Sequence, residues 1–373
     1  MPAMPSRAGM CLAVVIALAL ASATPTRAQP LGVDLPKGES VVDIAWFSAT
    51  SVVFLVETKE GYALRRLEVA TGELSVIGVP RSFSNLHKTG AGAAGPVFSM
   101  APAGNALAIL EQASDPLTRP ELSVYRCDGT ELKAVSVHQV PSDFWTAQMT
   151  WDNRGQELFL VAQPYLFPDQ RYSIGKLSLQ GESFSGVALK DNVDLVSEVA
   201  SIPQRGALAV RCGGFQGQYP GEEVIALLDP AHPQGRVLNA RAKGLAMKAL
   251  ASGELLVYHT GEPGSRGAAG DTLCWLLGPH DDALRLARLA LGDAGASLEQ
   301  SADGTWMGFL SDGSKLGVKG AGGKLLLGLQ RASDGKMMVS NIPTAAFEFS
   351  PFGGFVCAVG DGGARVYFYQ LPD

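Results

Sequence analysis

Short apolar runs recur along the whole chain, each introduced by a tight turn, and almost none keeps the i, i+3, i+4 spacing of a long amphipathic helix. A glycine marks the turn in six places. Gly104 precedes Asn105–Leu110, Gly155 precedes Gln156–Val161 and Gly206 precedes Ala207–Val210. Gly253 precedes Glu254–Tyr258, Gly304 precedes Thr305–Leu310 and Gly353 precedes Gly354–Val359. The glycines are 51, 51, 47, 51 and 49 residues apart. A seventh copy lies 53 residues upstream of Gly104, where Ser48–Ser51 makes the turn without glycine and Val52–Val56 makes the apolar run. Self-similarity at a fixed period of this size signals a repeat architecture.

Each unit holds further strand-like runs, such as Tyr62–Val69, the turn at Thr71-Gly72 and Leu74–Ile77. Ala283–Leu291 alternates with period two, which also favours strand. Four strands in each unit of roughly 50 residues is the spacing of a propeller. The expected fold is therefore all-β, a seven-bladed β-propeller of four-stranded antiparallel blades. The runs that follow the turns are apolar on both faces, as expected of strands packed between two neighbouring blades. The final unit offers only Ala346–Ser350, Phe355–Val359 and Arg365–Gln370, one strand too few. Leu31–Leu35 is expected to supply the missing outer strand, closing the ring and removing a free sheet edge.

Residues 1–28 have the pattern of a secretory signal: Arg7, an apolar run from Met10 to Ala21, then small residues. Cleavage after Ala23 or after Ala28 fits, and residues 29–373 are expected to form one propeller domain that is periplasmic or secreted. The apolar run is shorter than the ~20 residues a membrane helix needs, so no membrane span is expected. Net charge is −6, and removal of a leader bearing Arg7, Arg27 and no acid makes the remainder more negative. That balance argues against nucleic acid or an anionic membrane as a partner. Cys127, Cys212, Cys274 and Cys357 remain after processing, and their wide spacing excludes a metal knuckle. Disulfides and free core thiols both fit an oxidising compartment.

The turns Ser350-Pro351-Phe352-Gly353, Ser301-Ala302-Asp303-Gly304 and Ala101-Pro102-Ala103-Gly104 each keep part of a Ser-Pro-Asp-Gly pattern. In this they resemble the repeat of the TolB-like, WD-repeat-like bacterial propellers. The resemblance implies a fold and leaves function open. TolB also carries an α/β domain before its propeller, for which no segment is expected here, so its partners are not implied.

Motifs for chemistry are scarce. Gly90-Ala91-Gly92-Ala93-Ala94-Gly95 matches a dinucleotide fingerprint in letters, but Pro96-Val97-Phe98 begins a strand where that site needs a helix. Gly320–Lys324 lacks the Ser or Thr and the glycine spacing of a phosphate loop. No nucleophile elbow or zinc-protease motif is found, and His87, His138, His232, His259 and His280 are scattered, so no cofactor is expected. Aligning the first strands on the turns does give a pattern. Asp43, Ser99, Gln148, Glu198, Lys248, Glu299 and Glu348 fall at one polar position between apolar or small neighbours. First strands lie innermost in a propeller, so these residues are expected to ring the axis and to be candidate ligand-binding groups. Clustered carboxylates there suit a cation or a basic or polyhydroxylated ligand. Trp145, Trp151, Tyr165 and Phe167 form an aromatic group suited either to rim contacts or to packing between blades. The expected function is a non-catalytic scaffold binding a periplasmic protein or small ligand. The alternative is an enzyme of the propeller lactonase or quinoprotein type, with a metal or cofactor on the axis.

Overall fold

A computed structural model describes residues 26–27, 30–77, 97–101, 104–111, 121–127, 132–139, 144–152, 155–164, 174–180, 183–187, 195–213, 222–229, 232–250, 253–259, 272–278, 281, 283–289, 298–311 and 324–372. These residues form five four-stranded sheets and one larger sheet. Each four-stranded sheet is an antiparallel meander of consecutive strands. The innermost strands of blades one to five are Ser40–Trp46, Val97–Met100, Phe144–Trp151, Leu195–Ile202 and Leu245–Ala249. Those of blades six and seven are Leu298–Gln300 and the second half of Met337–Phe349. The protein is a β-propeller.

The turn glycines explain the repeat. Gly104, Gly155, Gly206, Gly253, Gly304 and Gly353 all have positive φ, between 59° and 84°, where a side chain would be strained. In blade six the turn is fixed further by side chains: Ser301 Oγ donates to Asp303, and Asp303 accepts from the Thr305 backbone. The backbone nitrogen of Trp306 donates to Ser301 Oγ. Asp303 is held below the usual carboxylate range by these hydrogen bonds, which outweigh its desolvation.

The larger sheet holds two blades joined through one long strand. The first half of Met337–Phe349 pairs with Leu326–Arg331 and its second half with Phe355–Gly360. No loop intervenes between blades six and seven, where the sequence suggests a fresh strand starting at Ala346. The crossing is made at Asn341–Pro343, where Ser340 Oγ accepts from the Ile342 backbone and meets the Tyr369 hydroxyl at 2.7 Å. Leu31–Asp34 pairs antiparallel with Arg365–Phe368 as the outermost strand of blade seven, as expected. Thr26–Arg27, within the expected leader, pairs in parallel with Met338–Val339, and the rest of segment 1–28 lies outside the described residues.

The core is a series of apolar layers, each shared by two neighbouring blades. Val52, Phe54 and Val56 face blade seven, while Val53 and Leu55 face blade two, so both faces of this strand are dry. Leu35, Trp46, Cys357 and Phe368 lie in the layer that joins the last blade to the first. All four described cysteines are free thiols, and Cys212, Cys274 and Cys357 are buried in three different blades. Burial pushes the Cys212 thiol up to about 12 and the Cys357 thiol well above its ordinary range, which disfavours a reactive thiolate at both. Among the described residues no helix is long and apolar enough to cross a membrane.

Candidate functional site: the axial ring

Strand register places the ring residues on two levels instead of one. Counting starts from the residue whose carbonyl closes each turn, which is Ser51, Ala106, Glu254, Trp306 or Phe355. Ser99, Lys248, Glu299 and Glu348 pair with Ala108, Leu256, Gly308 and Cys357, each two residues past that start. Asp43 pairs with Leu55, four residues past Ser51, and Glu198 pairs with Arg211, four past Ala207 at the head of its strand. Two strand residues span about 7 Å, so Asp43 and Glu198 sit one step along the axis from the other four. At the first level, blades one, three and four present Ala45, Thr150 and Ala200, which pair with Val53, Phe159 and Ala209. Gln148 falls in an irregular stretch of pairing between Thr146 and Met149.

The cause lies in the turns. Blade one closes between Phe47 and Ser51, one residue tighter than Ala101 to Ala106 in blade two, and has no glycine to count from, while blade four turns through the 3-10 segment Pro203–Arg205. Ala45 and Ala200 therefore take the first-level place in those blades. The register breaks between Val41 and Asp43 and between Val196 and Glu198 lie on the far side of both acids from the turn, and the break between Thr146 and Met149 takes in Gln148 itself.

The structure brings Lys248, Glu299 and Glu348 together with Asp43 and Glu198 at hand. Lys248 Nζ donates to Glu299 Oε1 at 2.8 Å, linking blades five and six. The other oxygen of Glu299 accepts from the backbone nitrogen of Phe349 at 3.3 Å, linking blades six and seven. Glu198 Oε1 accepts from the Met247 backbone at 3.0 Å, linking blades four and five. Glu198 also lies 3.5 Å from Arg211, whose guanidinium donates to Ser197 Oγ and to the Leu245 carbonyl. The glutamate carboxylates thus take the place of a backbone acceptor where two inner strands diverge.

Two indoles do the converse. Trp46 Nε1 donates to the Glu348 carbonyl at 3.3 Å, and Trp151 Nε1 donates to the Ser99 carbonyl at 3.0 Å. Each reaches back to the ring residue of the preceding blade. Trp151 is 3% exposed, so this member of the aromatic group packs between blades. Tyr165 and Phe167 lie outside the described residues.

Electrostatics separate the engaged groups from the rest. The Glu299 carboxylate holds the Lys248 ammonium above its ordinary range, against the desolvation that lowers it. Burial raises Glu198, partly offset by the Met247 bond and by Arg211. Burial, with Glu299 and Asp43 as like-charged neighbours, pushes Glu348 well above the usual carboxylate range. Asp43 is exposed yet crowded by protein on most sides, and that crowding lifts it to about 6 against the bond it accepts from the Ile44 backbone. No described ring partner donates a hydrogen bond to Glu348, so Asp43 and Glu348 form the uncommitted part of the axis. Among the described residues no group of three or more histidine, cysteine or acidic side chains is arranged to hold a metal.

Arg211, Trp46 and Trp151 were not among the expected ring residues. A lone arginine inside the apolar run Ala207–Cys212 is the signal that marks the first of them. The tandem glycines Gly90–Gly95 lie outside the described residues, and Lys324 pairs with Asp361 at 2.7 Å.

Neither a known sequence family nor a curated protein sequence matches the chain detectably. Solved structures do. An oligogalacturonate lyase from Vibrio parahaemolyticus has a TM-score of 0.58 at 10% identity, over 93% of this chain and 99% of that one. A second oligogalacturonate lyase, solved in complex with manganese, scores 0.56 at 11% identity over 93% and 99%. The propeller domain of Cps50 (Swd1) from Myceliophteria thermophila scores 0.55 at 11% identity over 91% and 99%. At these identities the likeness is one of fold alone.

Proposed function

We propose that the protein is an exported, non-catalytic propeller that binds a cationic group of a protein or small ligand at the mouth of its channel. The observation that carries this reading is the division of labour on the axis. Glu198, Lys248 and Glu299 are held in bonds between blades, while Asp43 and Glu348, like-charged neighbours one step apart along the axis, have no side-chain hydrogen bond between blades among the described residues. A lysine or arginine head entering from the channel would relieve that repulsion and keep both acids ionised. The signal-like leader supports a periplasmic or secreted location.

Capture from a periplasmic extract with the processed chain tests the reading, alongside a variant carrying Asp43→Asn and Glu348→Gln. A partner retained by the wild type and lost from the double variant is the expected result. A partner retained equally by both removes the axial site. A stoichiometric metal in the purified protein, or saturable manganese binding abolished by the same variant, overturns the non-catalytic reading in favour of a metal-dependent one.

A further inference from the structure

Away from the axis, a groove of about 390 Å³ opens between blades three and four on the face that carries the turn glycines. Its size lies within the ~300–1,000 Å³ of small-molecule pockets. Gln156, Glu157, Ser178, Gln180 and Ser201 line it, with Phe159 among the apolar residues beneath. Ser201 is only 8% exposed, and its hydroxyl has no hydrogen-bond partner among the described residues. Its oxygen is not fully enclosed, so groove water meets it until a ligand takes that water's place.

The other groups show what that ligand is. Gln156 and Gln180 share one bond of 3.2 Å, which leaves an amide donor and an amide acceptor free. Glu157 binds Lys176 through one oxygen at 3.0 Å and keeps the second. Asp152 holds the turn by accepting from the backbone of Gln156 and Glu157 with a single oxygen. The described lining therefore offers both donors and acceptors, and it carries the carboxylates of Asp152 and Glu157 with no basic side chain in the lining itself. Groups that both donate and accept suit this lining, and an anion does not. An aromatic ring below gives an apolar patch for the C–H face of such a ligand.

We infer that this groove is a binding site for a neutral polyhydroxylated molecule of the size of one or two sugar units. The site is separate from the axis, and neither depends on the other.

Titration of the isotope-labelled protein with glucose, galactose, mannose, maltose and cellobiose, followed by backbone amide shifts, tests the inference. Glucuronate is the anionic control. At least one neutral sugar is expected to give saturable shifts confined to blades three and four, with glucuronate roughly tenfold weaker. Combining Ser201→Ala with Gln156→Ala should weaken binding about tenfold, the equivalent of a lost hydrogen bond or two, with the melting temperature held. Glu157→Gln, which keeps the shape and removes a charge, should narrow the gap between glucuronate and the neutral sugar. Asp43→Asn should leave sugar binding unchanged. No saturable shift with any neutral sugar, equal binding of glucuronate, or binding indifferent to the groove variants overturns the inference.

Discussion

The axis of the ring and the groove between blades three and four are both lined with polar side chains, and they differ in what those side chains already hold. On the axis, Glu198, Lys248 and Glu299 are tied to the strand or side chain of the next blade. In the groove, Ser201 and the free ends of Gln156 and Gln180 hold nothing across the blade boundary. A committed polar group resists removal, because its partner is left unsatisfied; an uncommitted one can be deleted almost freely. Polarity alone therefore does not mark a binding site. The state of its hydrogen bonds does.

The comparison can be broken first at its strongest point. Trp46 is 1% exposed, lies in the layer between blades seven and one, and donates to the Glu348 carbonyl. Trp46→Ala is expected to cost about 3–5 kcal/mol, read as a drop in the urea midpoint. A loss below about 1 kcal/mol would show that ring closure does not depend on this contact.

Asp43 gives a pH-dependent test of smaller size. Burial lifts its folded carboxyl to about 6, above the ordinary 3.8, so the folded state binds the proton more tightly than the unfolded one. The stability gained from that proton is fully present below the unfolded value and is lost as the pH rises through about 6. Asp43→Asn escapes the loss. After discounting for solvent screening it should be about 1 kcal/mol more stable than wild type at pH 7, with the gain vanishing towards pH 4. A gain that is the same at both pH values would assign the effect to packing instead.

The smallest effect is expected in the groove. Ser201→Ala removes a hydroxyl without a protein partner, so unfolding without ligand should shift by no more than about 0.5 kcal/mol. A clear destabilisation would mean that the hydroxyl is structural and would place the groove with the axis.

Much of this architecture is legible in the sequence. The αL turn glycines and the doubly apolar strands that follow them are local signals, and both are where the repeat puts them. The closing strand Leu31–Asp34 follows from a strand shortage that the repeat itself exposes. The continuous strand Met337–Phe349 is not foreseeable, since only its end from Ala346 reads as an inner strand in the repeat. The ring is legible as a set of polar residues but not as two levels, because the turns of blades one and four differ in length and form from the glycine turns used to align the strands. The groove leaves no motif at all. It is assembled from a turn in blade three, a third-strand end and an inner strand of blade four, which tertiary packing alone brings together.

The central claim is that charged groups on the axis lock neighbouring blades, and the Lys248–Glu299 pair at 2.8 Å is its most direct expression. A double-mutant cycle using Lys248→Met, Glu299→Gln and the two combined isolates that pair in urea unfolding at pH 7. Lys248 is partly open to the channel, so a coupling energy of about 1 kcal/mol is predicted. A coupling indistinguishable from zero would contradict the account, leaving the axial charges as solvated groups that hold nothing.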